Sequence, residues 1–406
     1  MDVMKIWSGL LLCLSFLSEF VQGGKVPALY VFGDSQSDVG NNNYLETPIR
    51  ANFPHNGVDY PGHLATGRFS NGQNLADFIG NSSIFLNGVN FASGGAGVLK
   101  LTSKVSLDWR EVSCGQKLPN GLTISFDEQI KRDYSIVHAG LVQQLGKAQA
   151  STHTEGSIFG IGVGGNDIAN DPTPIDEHQQ LLTSSGSDQQ FSDSLAHSLK
   201  RQLQRLYELG MRKLFFVGTG PLGCYPLLRQ QSVTKECNAE ANSLSMQYNT
   251  AVQNLLREMS TRHPDFLYSF LDQYAVLEQY INEPQANGFA EVEAACCALG
   301  DNNAMLICTP ESQLCSNRTN HIFWDGAHLT EVTTQKLIAV AFNGSAPLIT
   351  PVNLRQLSAR RSRLNRVPSV SYIFNQLIRL RTVVNNAYET ATIGRPNVYQ
   401  SVPNNI

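Results

Sequence analysis

Three residues of this sequence have side chains suited to nucleophilic catalysis. Ser35 follows Gly33 and Asp34 directly after a short apolar run. There we expect it at the start of a helix, where its hydroxyl is presented and its own N–H can help stabilise an oxyanion. Asp325 precedes His328 by three residues, and a carboxylate at that spacing can hold an imidazole in the tautomer that a general base requires. Taken singly, Gly-Asp-Ser is more often a turn or cap, and Asp-x-x-His a surface loop.

Two glycine-rich segments could bring backbone close to a ligand. Residues 88–97 predict a flexible loop, with an ordinary tight turn as the alternative. Residues 160–167 contain a GxGxxG pattern. A dinucleotide site would need an acidic residue about 20 positions later at the end of a second strand, and that position falls in a polar, Pro-rich stretch. We therefore interpret Asn166 as a side-chain donor to an oxyanion, with a structural turn as the alternative.

Apolar runs at strand length alternate with apolar residues at helical spacing. The strand-like runs are residues 28–32, 157–163, 213–217 and 266–271. Between them, Leu195, Leu199 and Leu203, and then Tyr248 and Val252, recur every three or four positions. This alternation predicts an α/β fold with a parallel sheet covered on both faces, and functional loops at the carboxyl ends of its strands.

The two ends of the chain differ in composition from its body. Residues 1–24 carry Lys5, an apolar stretch and small residues before a cleavage point, which predicts a signal peptide; the stretch is too short for a membrane anchor. Residues 25–345 then form one predicted domain, and residues 346–406 an Arg-rich extension of unknown role. Residues 351–406 carry a net charge of +7, whereas the whole chain carries −4. The acidic body argues against a nucleic-acid partner.

Seven cysteines follow the signal peptide, in a compartment where disulfides persist. We predict a bridge between Cys224 and Cys237, which flank a short loop, and leave the other pairings open. A metal site is the alternative for the cluster from Cys296 to Cys315, but the usual ligand spacings are lacking, so disulfides are favoured. Sequons predict glycosylation at three positions, which are Asn81, Asn317 and Asn343.

Taken together, these motifs resemble the GDSL esterase/lipase family of the SGNH hydrolases, most closely its secreted plant branch. The resemblance covers residues 26–342. It includes Gly67-Arg68-Phe69-Ser70-Asn71-Gly72, Pro221-Leu222-Gly223-Cys224 and the cysteine-rich segment before Trp324. It implies a three-layer α/β/α sandwich around a central parallel sheet, of the flavodoxin-like type.

The resemblance also implies a role for each motif residue. Ser35 would be the nucleophile, His328 the base and Asp325 its orienting carboxylate. The oxyanion hole would combine the Ser35 N–H, the Gly95 N–H and the Asn166 side chain. We expect Ser35 Oγ within about 3–4 Å of His328 Nε2, with Asp325 facing Nδ1.

The expected activity is hydrolysis of a small-molecule or lipid ester through an acyl-serine intermediate. An acyltransferase would use the same residues and differ only in whether an alcohol outcompetes water. A silent secreted glycoprotein retained for binding is the alternative outside enzymes. We expect no cofactor, no metal, no transmembrane segment and an extracellular location.

Overall fold

The structure is a computed structural model and describes residues 25–82, 85–103, 123–169, 188–231, 233–305 and 307–360. The expected signal peptide, Cys114 and most of the Arg-rich extension lie outside these ranges.

A sheet of six strands, counted over the described ranges, forms the centre of the molecule in the order β2-β1-β3-β4-β5-β10. The first five are parallel, and β10 pairs antiparallel with β5. Their bounds are β1 Leu29–Gly33, β2 Gly88–Asn90, β3 Ile158–Gly162, β4 Lys213–Val217, β5 Leu267–Leu271 and β10 Ile349–Thr350. Four smaller strands form two further pairs, β6 (Glu291–Ala295) with β9 (His321–Phe323) and β7 (Cys297–Ala298) with β8 (Gln313–Leu314).

The α-helices of the described ranges lie between these strands in the sequence, except the last, which follows β10. They are α1 Leu75–Gly80, α2 Phe126–Glu128, α3 Ser135–Leu145, α4 Lys147–Gly156, α5 Gly165–Ala169, α6 Asp188–Glu208, α7 Pro226–Gln230, α8 Ala239–Arg262, α9 Gln273–Asn282, α10 Glu331–Asn343 and α11 Leu354–Ala359. A π-helix, Gln129–Tyr134, joins α2 to α3. Short 3-10 helices cover Asn41–Tyr44, Leu222–Cys224, Gln285–Asn287, Asp301–Asn303 and Arg318–Asn320. Within the part of the chain that is described, no helix combines the length and apolarity needed to cross a bilayer.

Alternate residues of each strand face opposite sides of the sheet, and each side has its own core. Tyr30 and Phe32 of β1 belong to one core, together with apolar residues of α3, α4, α6 and α8. Leu29 and Val31 belong to the other, together with residues of α1, α9, α10 and α11. The predicted parallel sheet covered on both faces is therefore confirmed as a three-layer α/β/α sandwich.

The structure differs from the sequence-based expectation at three places. Residues 88–90, expected in a flexible loop, form the edge strand β2 because their backbone pairs with β1. Residues 349–359 form β10 and α11, so the packed core extends beyond residue 345; Leu354 and Leu357 are fully buried. Ser35 lies in a turn and not in a helix, since only Ser37 and Asp38 donate back to the Asp34 carbonyl.

Disulfides connect six cysteines of the described ranges. The predicted bridge between Cys224 and Cys237 is confirmed. Cys296 pairs with Cys315, and Cys297 pairs with Cys308. The cluster that could also suit a metal therefore consists of two disulfides, which hold the segment preceding β9.

Candidate active site

The predicted site residues meet at the carboxyl edge of the parallel sheet. The turn with Ser35 follows β1, and Asn166 lies in α5, directly after β3. A cavity of about 170 Å³ opens there, and Ser35, Gly95, Asn166 and His328 all line it. Ser35, Gly95 and Asn166 follow β1, β2 and β3, so their convergence follows from the parallel arrangement of these strands, whereas His328 reaches the cavity from the segment after β9.

The turn that contains Ser35, named the nucleophile turn after its proposed role, is held by hydrogen bonds to the side chains of Asp34 and Asp38. Asp34 Oδ1 accepts the Gln36 N–H at 3.0 Å, and Asp38 Oδ1 accepts the N–H groups of Gly40 and Asn41 at 2.8 and 2.7 Å. These local bonds take the place of a continued helix. Burial raises the pKa of the Asp34 carboxyl to about 6, against the lowering effect of the Gln36 N–H and nearby His328.

The loop after β2 presents the backbone of Gly95 to the cavity. Gly95 has a φ of +81°, a backbone conformation that strains any residue with a Cβ, so glycine is strongly favoured there. The neighbouring Gly94 N–H donates to Asp38 Oδ2 at 2.9 Å. Because Gly94 is engaged in this way, the geometry favours Gly95 as the donor to a ligand.

Asn166 and Asp167 connect α5 to this loop region. Asn166 Nδ2 donates to the Ala96 carbonyl at 2.9 Å, which leaves its second amide hydrogen available. Asp167 is buried and accepts from the Val98 and Leu99 N–H groups and from the Thr102 hydroxyl, at 2.8, 3.0 and 2.6 Å. The loop of residues 94–102, named the oxyanion loop after its proposed role, and α5 are therefore held together by the hydrogen bonds of Asn166 and Asp167.

Asp325 lies behind His328, away from the cavity. Its Oδ1 is 2.7 Å from His328 Nδ1 and also accepts the backbone N–H groups of Ala327 and His328, both at 2.9 Å. Asp325 is fully buried and His328 is nearly so. The expected orientation of Asp325 is thus present. His328 and Ser35 line the same cavity without a direct hydrogen bond between them.

Comparison with known proteins identifies the family of this chain. A family model described as GDSL-like Lipase/Acylhydrolase matches residues 29–340. This chain belongs to that family. Three proteins from Arabidopsis thaliana, each named GDSL esterase/lipase, are 35%, 34% and 33% identical to this GDSL protein. The matches cover 82%, 83% and 76% of this chain and 90%, 92% and 86% of the relatives. The GDSL protein is therefore a serine hydrolase that acts on ester bonds.

Further contacts fix the loop of residues 324–328 in the GDSL enzyme, named the acid–base loop after the proposed roles of Asp325 and His328. The Cys308 N–H donates to Asp325 Oδ2 at 3.2 Å. Trp324 is fully buried, and its indole N–H donates to Asn56 Oδ1 at 3.0 Å. From the opposite side, Gln36 Nε2 donates to the Ala327 carbonyl at 3.1 Å, which connects the nucleophile turn to this loop.

The roles of several residues at the GDSL site could not be recognised from the sequence. Gln36 belongs to the recognised motif, but the contact of its side chain with the Ala327 carbonyl depends on a distant segment. Phe69 lines the cavity and stacks on His328, and only the motif Gly67–Gly72 indicated that its segment had any importance. Within the described ranges, no group of His, Cys, Asp or Glu residues is arranged to hold a metal ion.

Proposed function

We propose that this GDSL enzyme hydrolyses carboxylic esters through an acyl-Ser35 intermediate. Ser35 Oγ attacks the ester carbonyl carbon while His328 Nε2 takes the hydroxyl proton. The C–O bond to the alcohol then breaks, and His328 returns the proton to the leaving alcohol. A water molecule, deprotonated by His328, then attacks the acyl carbon, the bond to Ser35 Oγ breaks, and His328 returns the proton to Ser35 Oγ as the acid leaves.

Two features of the site support these roles. Asp325 Oδ1 at 2.7 Å holds His328 Nδ1, so Nε2 is the nitrogen left to exchange protons. The single observation that carries the proposal is that one cavity contacts Ser35, His328 and the proposed oxyanion donors Gly95 and Asn166. These donors would stabilise the negative charge that develops on the carbonyl oxygen.

The cavity also indicates the kind of acyl group that fits. Its walls beyond the proposed donors include Val163, Val217, Leu222, Leu227 and Leu228. These side chains suit an apolar acyl chain, because burying methylene groups there is favourable by about 0.8 kcal/mol each. A small-molecule or lipid ester is therefore the proposed substrate, without an added cofactor.

We further propose that the enzyme is secreted and glycosylated. Disulfides persist in oxidising compartments, and three occur in the described part of the chain. Asn81, Asn317 and Asn343 are all exposed, as glycan attachment requires. The order of segments under this proposal is a signal peptide, a hydrolase domain and an Arg-rich extension.

Labelling and turnover test the proposed function together. The purified protein is treated with a fluorophosphonate probe and assayed on p-nitrophenyl esters of graded chain length, with and without an alcohol acceptor. We expect labelling at Ser35, and turnover that Ser35→Ala abolishes. Ester formation in place of hydrolysis would support the acyltransferase, whereas failure of both labelling and turnover would support the silent glycoprotein.

A further inference from the structure

The aromatic ring of Phe69 lies against two parts of the active site at once. Its centroid is 4.9 Å from that of the His328 imidazole, with an angle of 30° between the ring planes. On the other side, a Cβ built on Gly94 would lie 2.9 Å from Phe69 Cε2 and Cζ, so the ring packs against the bare backbone of the oxyanion loop. Phe69 is only 3% exposed and lines the cavity.

A buried ion pair fixes the chain on one side of Phe69. Arg68 Nε and Nη2 donate to the two carboxylate oxygens of Asp77 at 2.6 and 2.7 Å, and both side chains are 3% exposed. Asp77 itself belongs to the capping box at the start of α1. A bidentate pair of this kind fixes direction as well as distance. The backbone at Phe69 therefore has a defined position relative to the sheet.

The other side of Phe69 is tied to the helix that follows His328. Asn71 Oδ1 accepts the Glu331 N–H at 2.8 Å, and Glu331 Oε1 accepts the Gln73 N–H at 2.9 Å. Glu331 is the first residue of α10, three positions after His328. The segment with Phe69 and the acid–base loop therefore have fixed positions relative to each other.

We propose that Phe69 is a positioning residue for His328. Asp325 fixes one edge of the imidazole, but a hydrogen bond to one nitrogen still allows the ring to tilt about that contact. The face of Phe69 opposes this tilt and excludes water from that side of the imidazole. Nε2 is thereby kept directed at the reacting oxygens. This inference rests on the roles proposed for Ser35 and His328.

The choice of leaving group distinguishes positioning from simple packing. Departure of an alkoxide needs a proton from His328, whereas p-nitrophenolate departs without one. A poorly directed imidazole should therefore lower kcat/KM more for an alkyl ester than for the p-nitrophenyl ester of the same acid. A change in cavity shape alone should affect both esters alike, since they share the acyl group.

The variants are Phe69→Leu and Phe69→Met; the second has an unbranched, flexible side chain that can adapt to the space left by the ring in case the first does not fold. Phe289→Leu is the matched control, because Phe289 is 2% exposed and packs on Tyr280, not on the cavity. We expect the ratio of p-nitrophenyl to alkyl kcat/KM to rise roughly 10-fold in the Phe69 variants. In Phe289→Leu we expect the same ratio as in the wild-type protein.

If both Phe69 variants had the same ratio of p-nitrophenyl to alkyl kcat/KM as Phe289→Leu, the inference would be overturned and the serine mechanism would remain intact. Absence of fluorophosphonate labelling in the wild-type protein would overturn that mechanism, and the role of Phe69 with it.

Discussion

At the scale of single residues, the proposed site combines one nucleophile, Ser35, with donors from the segments that follow β2 and β3. Ser35 and His328 are expected to act as a unit, so removal of either should bring turnover to background. Asn166 and Asp325 act on that unit in different ways. One would stabilise developing charge, and the other holds the base in a tautomer. Removal of the Asn166 amide and removal of the Asp325 carboxylate should therefore lower kcat by different factors.

Asn166→Ala should retain the covalent route and lower kcat by roughly 10²–10³, the usual cost of one oxyanion donor. Asp325→Ala should lower kcat further, yet less than Ser35→Ala, because an untethered His328 still samples the productive tautomer. Steady-state kinetics on one p-nitrophenyl ester measures all three variants. If Asn166→Ala retained full kcat, the structural-turn interpretation of that residue would be correct.

His153 gives a residue-scale prediction about stability. Its Nε2 lies 3.1 Å from the Tyr30 hydroxyl, and burial lowers its pKa to about 4. The unfolded chain, with an ordinary pKa of about 6.5, takes up this proton first as pH falls. The contribution of His153 to the free energy of unfolding is therefore complete above about pH 6.5 and is lost as the pH falls towards about 4.

Between pH 7.5 and 4.5, wild type should lose roughly 2–3 kcal/mol more unfolding free energy than His153→Gln. Urea unfolding at both pH values measures this difference. Asp34, Asp38 and Asp133 have raised pKa values of about 6 and act in the opposite direction. They are common to both proteins, so the comparison cancels them. Equal pH dependence in the two proteins would contradict the prediction.

Motif residues could be identified in the sequence because their types and order carry the information. Ser35, Asn166, Asp325 and His328 were assigned in this way. The partners that orient them could not be identified, since Phe69 on His328 and Gln36 on Ala327 are contacts between segments more than 250 residues apart. Nothing in local composition distinguishes such a Phe from an ordinary core residue.

At the scale of elements, long apolar runs were predictable and short strands were not. β4 has the expected bounds, Lys213–Val217, and its five residues are all buried. β2 and β10 have only three and two residues, too few to show a period, and they exist because a neighbouring strand supplies their hydrogen bonds. Pairing among the cysteines from Cys296 to Cys315 likewise depends on the β7–β8 pairing.

The bridge between Cys297 and Cys308 supports the acid–base loop directly. It holds the backbone whose N–H donates to Asp325 Oδ2. The double variant Cys297→Ala/Cys308→Ala should therefore lower kcat, by about 10-fold for the loss of one hydrogen bond to a charged group. It should also lower stability by about 3 kcal/mol.

The control for this prediction is Cys224→Ala/Cys237→Ala, which removes a bridge of similar loop length with no contact to Asp325. It should lose comparable stability and keep more of its kcat. Kinetics and thermal unfolding of both variants measure the two effects. An equal fall of kcat in the two variants would show that the Cys308 contact has no special role.

At the scale of the whole molecule, the globular unit is longer than the motifs suggest. β10 closes the sheet edge at β5, and α11 buries Leu354 and Leu357 fully on the second core. These residues lie past the last motif, in sequence that looks like the start of the Arg-rich extension. Composition could not place this boundary, because two buried leucines are enough to make a short helix part of the core.

A chain that ends at residue 360 should therefore keep the stability and activity of the full chain. A chain that ends at residue 345 should lose roughly 6–12 kcal/mol, because it lacks four buried apolar side chains, those of Ile349, Val352, Leu354 and Leu357. Thermal unfolding of the two truncated proteins measures the difference. Equal melting temperatures would place the domain boundary at residue 345, as the sequence analysis expected.

The positions of the site residues along the chain have a consequence for protein synthesis. Ser35 directly follows the first strand, β1, whereas Asp325 and His328 follow β9, close to the end of the sheet-forming sequence. A ribosome therefore delivers the proposed nucleophile long before the proposed base. Under the proposed mechanism, a chain that terminates between them has a serine without its base and cannot cleave the ester.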